Sequence, residues 1–305
     1  MFWSSSFGAI AIRLLVVVGA CTATAGAELR VVALTPIVGE LARIVGGEHV
    51  VVDDLMALDD NPHAFDPKPS DLKRVAEAKI VLASGKGIEV AYIRSIRDSM
   101  AADAMIFEAG RRVPSCKIDA DDEVFVCCPA HSLGGLDPHW WHSPKGMKRA
   151  ARDVGEFFGS IDPDHAEAYA ENARTYGKEL DTLHDWVRTQ IASIPKSRRY
   201  LTTAHAAFGY LCRDYGLKAI PVQGLTKEKE PTPRYLAGTI KVIRKHRIPA
   251  VFAEAQANPK VLKSMVAETG VIIGGTLLAD GFNENVTSYV DFMRHNVSTI
   301  CTALR

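Results

Sequence analysis

Hydrophobic and polar positions follow two alternating patterns along most of the chain. Leu29–Leu34 alternates loosely and is rich in valine, which predicts a strand, and apolar residues then recur at helical spacing between Thr35 and Gly47. Thr35 and the proline after it suit the start of a helix, and the two glycines that follow suit its end. VVVDDLMAL, PKPSDLKRVAEAK and IVLASG continue as strand, helix and strand, with Ser70 or Asp71 near the helix cap.

The same alternation returns in the last third of the chain. YLTTAH, PAVFAEAQ and VIIGGTLLAD have the composition of strands, and AAFGYLCRDYG, IKVIRKH and PKVLKSMVAETG have helical spacing. Strands that alternate with helices form parallel sheets joined by crossover helices. The sequence therefore predicts an α/β fold with two lobes, each a mainly parallel sheet flanked by helices.

One long amphipathic helix is predicted between the lobes. Apolar residues recur in steps of three and four from Tyr169 to Ile194, with no proline inside the pattern. About 30 residues at ~1.5 Å each span roughly 45 Å, enough to run along both lobes. The predicted units are an N-terminal lobe (28–162), a linking helix (163–194) and a C-terminal lobe (195–305). Two shorter helices with a break near Gly177 are the alternative.

Residues 101–136 show neither the alternation of a strand nor the spacing of a helix. Pro114, the acidic run DADDE and the pair Gly134-Gly135 interrupt both patterns, which predicts a surface loop.

The N-terminus differs from the rest of the chain. Residues 1–27 carry one charge, Arg13, then the apolar run LLVVVGA, and end in Ala-Gly-Ala, as export signals do. We expect cleavage after Ala27 and a periplasmic protein. Lipid attachment at Cys21, which follows Val-Gly-Ala, is one alternative, and a buried N-terminal helix is another. Export implies an oxidising compartment for the five cysteines that would remain.

Composition and charge limit the classes of partner that the chain can bind. The chain has 305 residues, with 36 Lys+Arg and 36 Asp+Glu, so nothing indicates a nucleic acid or a membrane surface as partner. No run after the N-terminus reaches the ~18 apolar residues that a membrane-spanning helix needs.

Four polar residues stand at the ends of predicted strands or in the loops that follow them. His63 lies in DNPHAFDPKPSDL, His139 in DPHWWHSP, His205 in LTTAHAAFGY and Asp280 in LLADGF. Ligands of parallel α/β sheets gather at the carboxyl ends of the strands, so these residues can converge on one cleft. Three imidazoles and a carboxylate suit a borderline divalent metal ion. His142, three residues after His139, leaves open whether that segment supplies two ligands, one or none.

Several of these segments together resemble a known family, the solute-binding proteins that supply zinc or manganese to ABC importers (cluster A-I). The resemblance covers essentially the whole mature chain. It depends on NPHAFDPKPSDLKRVAEAKIVLASGKGIE, DPHWW, TTAHAAFGYLCRDYGL, EPTPRYLAGTIKVIRKHRIPAVFAEAQANPK and DFMRHNVSTI, in this order.

The resemblance implies a metal site and a transport role. Its ligand positions fall on His63, His139, His205 and Asp280. Manganese-type members commonly have Glu at the third position and zinc-type members His, so His205 favours Zn²⁺ over Mn²⁺. The implied partner is the membrane permease of an ABC importer, and we expect a monomer that is not an enzyme. An exported zinc hydrolase with the same residues and an adhesin are the rival functions.

The chain departs from the family in some places. It lacks a His-rich loop between the first two ligand positions, and has Cys116, Cys127, Cys128 and His131 there. A disulfide from Cys116 to one of the other two cysteines is expected, and an auxiliary metal site is the alternative. His142 falls where relatives usually have an apolar residue, so it is not expected to be a ligand.

Two carboxylates are candidates for orienting the ligands. Glu254 ends a predicted strand and either orients a ligand or is structural, and Asp66 is a candidate partner of His63. Trp140 and Trp141 are expected to pack beside the site and exclude water.

Overall fold

The structure is a computed structural model that describes Met1 and residues 28–58, 60–117, 135–222, 232–255 and 259–305. The expected export signal with Cys21 lies outside the described residues. So do Cys127, Cys128 and His131, and with them the expected disulfide and the alternative auxiliary site.

The N-terminal lobe is built on a parallel sheet. Its strands are β1 (Leu29–Ala33), β2 (Val50–Asp54), β3 (Ile80–Ala83) and β4 (Met105–Glu108), and its first helices are α1 (Pro36–Gly46), α2 (Pro69–Glu77) and α3 (Ile93–Ser99). The strand order is β2-β1-β3-β4, with every neighbouring pair parallel. Helix α1 begins after Thr35 and ends before Gly47, as the sequence predicts.

One local prediction for this lobe is wrong. Residues 101–136 are not one surface loop, because β4 completes the sheet with Phe107 buried, and β5 (Cys116–Lys117) pairs antiparallel with β6 (Leu136–Asp137). These strands have two to four residues, too few for a period to show. Helix α2 is capped at Lys68, and Asp71 lies near the cap as the sequence predicts, where its carboxylate accepts the Lys68 backbone N–H at 2.8 Å.

Two helices follow, α4 (Pro144–Ile161) and α5 (Ala166–Ala192). Helix α5 is continuous over 27 residues, so the alternative break near Gly177 does not occur. At ~1.5 Å per residue it is roughly 40 Å long. Its buried stripe runs from Tyr169 to Ile191, along one hydrophobic core that includes residues of both lobes. The long helix thus joins the two lobes.

The C-terminal lobe repeats the architecture. Its strands are β7 (Tyr200–Thr203), β8 (Lys218–Pro221), β9 (Ala250–Glu254) and β10 (Ile272–Leu277), and its helices are α6 (Gly209–Tyr215), α7 (Pro233–His246), α8 (Pro259–Thr269) and α9 (Tyr289–Leu304). The strands run parallel in the order β10-β9-β7-β8. The predicted fold of two α/β lobes joined by a long helix is confirmed. No helix of the described residues is both long and apolar enough for a membrane span.

Candidate metal centre

The structure brings the four sequence-predicted side chains together between the lobes. His63 lies between β2 and α2, and His139 follows β6, both in the N-terminal lobe. His205 follows β7 and Asp280 follows β10 in the C-terminal lobe. One ligand atom from each residue can be chosen so that all four lie within 4.8 Å of one another. His63, His205 and Asp280 follow strands of the two parallel sheets, as such sheets predict, whereas His139 follows a strand of the small antiparallel pair.

The Nε2 atoms of the rings surround one carboxylate oxygen. The Oδ1 atom of Asp280 lies 3.6 Å from His63 Nε2, 3.4 Å from His139 Nε2 and 3.6 Å from His205 Nε2. The Nε2 atoms of His63 and His139 are 3.1 Å apart. The side chains are almost entirely inaccessible to solvent, at 6% exposure for His63 and 3% or less for the other three.

Asp137 orients the ring of His139. Its Oδ1 atom accepts the backbone N–H of His139 at 2.9 Å and lies 2.8 Å from the ring Nδ1. A proton on Nδ1 leaves the Nε2 lone pair directed at the other three side chains. Sequence reasoning missed Asp137, although a carboxylate two residues before a candidate ligand was a visible signal.

Glu254 orients His205 in the same way. Its Oε1 atom accepts the backbone N–H of His205 at 2.9 Å, and its Oε2 atom is hydrogen-bonded to the ring Nδ1. The geometry favours the orienting role over a merely structural one. Asp66 makes no hydrogen bond to His63 within the described residues, and Asn61 Oδ1 instead accepts the His63 backbone N–H at 3.0 Å.

Burial and charge act in opposite directions on the three imidazoles. Burial lowers the pKa of His63 below its ordinary value. Burial also disfavours the charged form of His139, but its hydrogen bonds to Asp137 and Asp280 outweigh this effect and raise its pKa. Burial also disfavours the charged form of His205, but Glu254 and Asp280 outweigh this effect and raise its pKa to about 10. Without a metal ion, at least one ring therefore carries an extra proton at neutral pH.

Asp280 is the negative centre of the cluster. Burial by itself raises the pKa of this carboxyl, but His205, His139 and His63 lower it well below its ordinary value. The carboxylate is therefore ionised in a buried place, where it requires positive charge beside it. Protons on the rings supply that charge in the metal-free protein, and a cation can replace them.

The spacing of the ligand atoms fits a small tetrahedral cation. In a regular tetrahedron the edge is about 1.6 times the distance from centre to vertex. The edge between His63 and His139 and the three edges to Asp280 are 3.1 to 3.6 Å long, as expected for an ion roughly 1.9–2.2 Å from these atoms, the range of zinc–imidazole and zinc–carboxylate bonds. The ligand atoms of all four residues lie within 4.8 Å of one another, so a modest inward shift of His205 completes the tetrahedron. His205 Nε2 is buried without a hydrogen-bond partner in the described part of the chain, as an atom awaiting a ligand would be.

The two tryptophans and His142 pack around the site. The Trp141 ring stands edge-on to His139 at 5.3 Å between centroids, and both tryptophans are at most 1% exposed. Trp140 Nε1 donates to Ser84 O at 3.0 Å. The ring of His142 points to the carbonyl of Ala279 and does not belong to the cluster of ligand atoms.

Comparison with known proteins identifies the family. The family described as ZnuA, zinc-uptake complex component A, periplasmic, matches residues 31–303. The chain belongs to this family. The manganese-binding lipoprotein MntA of Bacillus subtilis is 31% identical over 290 residues, covering 92% of each chain. The iron-binding protein YfeA of Yersinia pestis is 27% identical over 276 residues, covering 90% of this chain and 85% of its own.

Solved structures share the fold. The periplasmic zinc-binding protein TroA of Treponema pallidum superimposes with a TM-score of 0.79 at 23% identity, over 91% of this chain and 99% of that one. A Mn-bound periplasmic metal-binding protein of Candidatus Liberibacter asiaticus gives 0.80 at 20% identity, over 91% and 100%. At such identities the likeness supports the fold alone.

Membership of the family establishes the general function. Its members are metal-binding, extracytoplasmic components of ABC transporters that bind a solute and work with a membrane permease. The chain is therefore a solute-binding protein and not an enzyme. Relatives named for manganese, iron and zinc all occur, so family membership leaves the metal open.

Proposed function

We propose that this protein captures Zn²⁺ with His63, His139, His205 and Asp280 and delivers it to the permease of an ABC importer. The observation that carries the proposal is the ligand set itself, three imidazoles and one carboxylate with ligand atoms within 4.8 Å of one another in a buried cluster. Zinc favours four-coordinate sites with nitrogen ligands, and four protein ligands close its coordination sphere. A closed sphere suits capture and leaves no position for the water that a zinc hydrolase needs.

Manganese is the second candidate because the Bacillus subtilis relative is named for it. Mn²⁺ lies low in the affinity order of divalent metals and prefers octahedral sites rich in oxygen. The His205 ring places a third nitrogen where the resemblance implies Glu in manganese-type members. Both features favour zinc at this site.

Competitive titration of the purified mature protein with Zn²⁺ and Mn²⁺ tests the choice of metal. A chelator of known affinity sets the free concentration of each ion, and metal analysis of protein isolated from its native host gives the ion carried there. We expect tighter binding of zinc and zinc in the isolated protein. Tighter binding of manganese, together with manganese in the isolated protein, would contradict the zinc proposal.

Asp280→Ala tests the ligand set. Removal of the only carboxylate leaves three imidazoles, so we expect zinc affinity to fall more than about 100-fold, because even changes behind the ligands cost about 10- to 100-fold. Asp291→Ala is a matched control on α9, with its carboxylate on the exposed Ser288 turn. Equal affinity of Asp280→Ala and the wild type would remove Asp280 from the site.

Location and assembly complete the proposal. Cleavage after Ala27 would give a periplasmic protein, and lipid attachment at Cys21 would give an anchored one; in either case we propose a monomer. Mass spectrometry of the mature N-terminus separates the two outcomes. Light scattering with and without zinc tests the monomer.

A further inference from the structure

Two side chains of the N-terminal lobe hold one carbonyl of the C-terminal lobe. Trp141 Nε1 donates to Ala279 O at 2.8 Å, and His142 Nε2 is 2.9 Å from the same oxygen. Ala279 directly precedes Asp280, and Trp141 and His142 directly follow the 139–140 segment. A third buried bond joins the segment of Trp141 to α9, since Tyr289 Oη donates to Trp141 O at 2.6 Å. The segments that carry His139 and Asp280 are thus joined by direct hydrogen bonds.

The contact to a carbonyl fixes the state of His142. A carbonyl oxygen only accepts hydrogen bonds, so the ring proton is on Nε2 and the ring acts as donor. The ring is fully buried, close to Phe208 and Phe292 at 4.3 and 5.3 Å between centroids. Burial lowers the pKa of His142 to about 3, in keeping with a neutral ring.

The pocket around the His142 ring is apolar, and only the hydrogen bond from Nε2 favours histidine there over an apolar side chain. His142 Nδ1 is buried and has no hydrogen-bond partner among the described residues, which is unfavourable. The compensating feature is the bond from Nε2 to Ala279 O. The acceptor, Ala279, directly precedes Asp280, so the bond influences the position of the Asp280 carboxylate.

The segment before Asp280 is also held from its other side. Asn296 on α9 accepts the backbone N–H of Leu278 at 2.8 Å and donates to Leu278 O at 2.7 Å. The backbone before Asp280 is therefore held on one side by Asn296 and on the other by Trp141 and His142, which share one acceptor.

We propose that His142 is a positioning residue for the metal site, which holds the Asp280 carboxylate in register with His139 through the carbonyl of Ala279. The inference rests on the proposed function, because it needs Asp280 to bind the ion. Loss of the donor leaves Trp141 alone on the carbonyl, and the carboxylate gains freedom that binding must then remove. We expect zinc affinity to fall about tenfold, at the lower end of the cost of changes behind metal ligands.

His142→Leu and His142→Gln separate donation from bulk. Leucine fills the pocket without a donor, whereas the amide nitrogen of glutamine can occupy the place of Nε2. Zinc affinity is measured by competition with a chelator, and the visible spectrum of the Co²⁺-loaded protein reports the ligand geometry. We expect about tenfold weaker zinc binding and a changed Co²⁺ spectrum for His142→Leu, and values within about threefold of wild type with the wild-type spectrum for His142→Gln.

Controls keep the outcomes distinct. His184→Leu on α5 removes a ring that is hydrogen-bonded to Tyr215 Oη at 2.8 Å, and this variant should leave metal binding unchanged. If His142→Leu does not fold, His142→Met takes its place, because methionine adapts to irregular pockets. Unchanged affinity and spectrum in the apolar variant would overturn the inference, as would an equal loss in His142→Gln. Absence of zinc binding by the wild type would instead refute the proposed function.

Discussion

Metal binding should release a proton at neutral pH, chiefly from His205. The ring keeps its Nδ1 proton on Glu254, so the proton that must leave for a metal ion is the one on Nε2. Burial opposes that charge, but Glu254 and Asp280 outweigh it and raise the pKa of His205 to about 10. The sequence alone predicts weaker binding only below about pH 6.5, the ordinary histidine pKa. Glu254 and Asp280 therefore shift the pH range in which zinc binding weakens to higher pH.

The magnitude follows from that pKa. At pH 7.5 the ring lies about 2.5 pH units below it, so removal of the proton costs about 3 kcal/mol of binding free energy. The zinc Kd should therefore fall about tenfold per pH unit between pH 7 and 9. The linked effect on the metal-free protein has the opposite sign. Protonated His205 stabilises the fold below about pH 6.5, and this contribution is lost as pH rises towards 10.

Isothermal titration calorimetry in two buffers with different ionisation enthalpies counts the protons released per zinc ion. We expect about one at pH 7.5 for the wild type. Glu254→Gln removes the carboxylate that raises the His205 pKa most, so proton release should drop and the pH dependence of Kd should flatten. Glu48→Gln, a change at an exposed glutamate, is the control. No proton release by the wild type, or equal release by Glu254→Gln, would refute the reasoning.

Two further substitutions test the scaffold. Glu40 accepts the Tyr289 backbone N–H at 3.0 and 2.8 Å, and burial raises its pKa to about 7, so the fold loses stability as pH rises from about 4.5 to 7. Glu40→Gln should therefore be about 3 kcal/mol more stable than wild type at pH 8 and nearly equal at pH 4.5, measured by urea unfolding; a constant difference would contradict this. A Cβ on Gly110 would lie 2.3 Å from Trp140 Nε1. Gly110→Ala should cost about 1–3 kcal/mol in the same assay, whereas Gly238→Ala, with open space, should not destabilise.

Local patterns sufficed for much of the architecture. The periodicity from Tyr169 to Ile191 predicts α5, because helical spacing depends only on neighbours within a few residues. The order of strands and helices predicts parallel sheets, and parallel sheets place the following loops at one edge. Strand β4 was not predicted because four residues are too few to show a period. The strand is stabilised by pairing with β3, which lies outside the local sequence window.

The sequence by itself determined the candidate ligands and the two-lobed fold, through strand order and family resemblance. Only the tertiary structure decided what each candidate does. His139 and His142 are three residues apart, yet one ring points to Asp280 and the other to the carbonyl of Ala279. The pKa of His205 depends on Glu254, which is distant in the chain. Ring direction and charge are set by contacts between segments that only the folded chain brings together, and no local pattern records them.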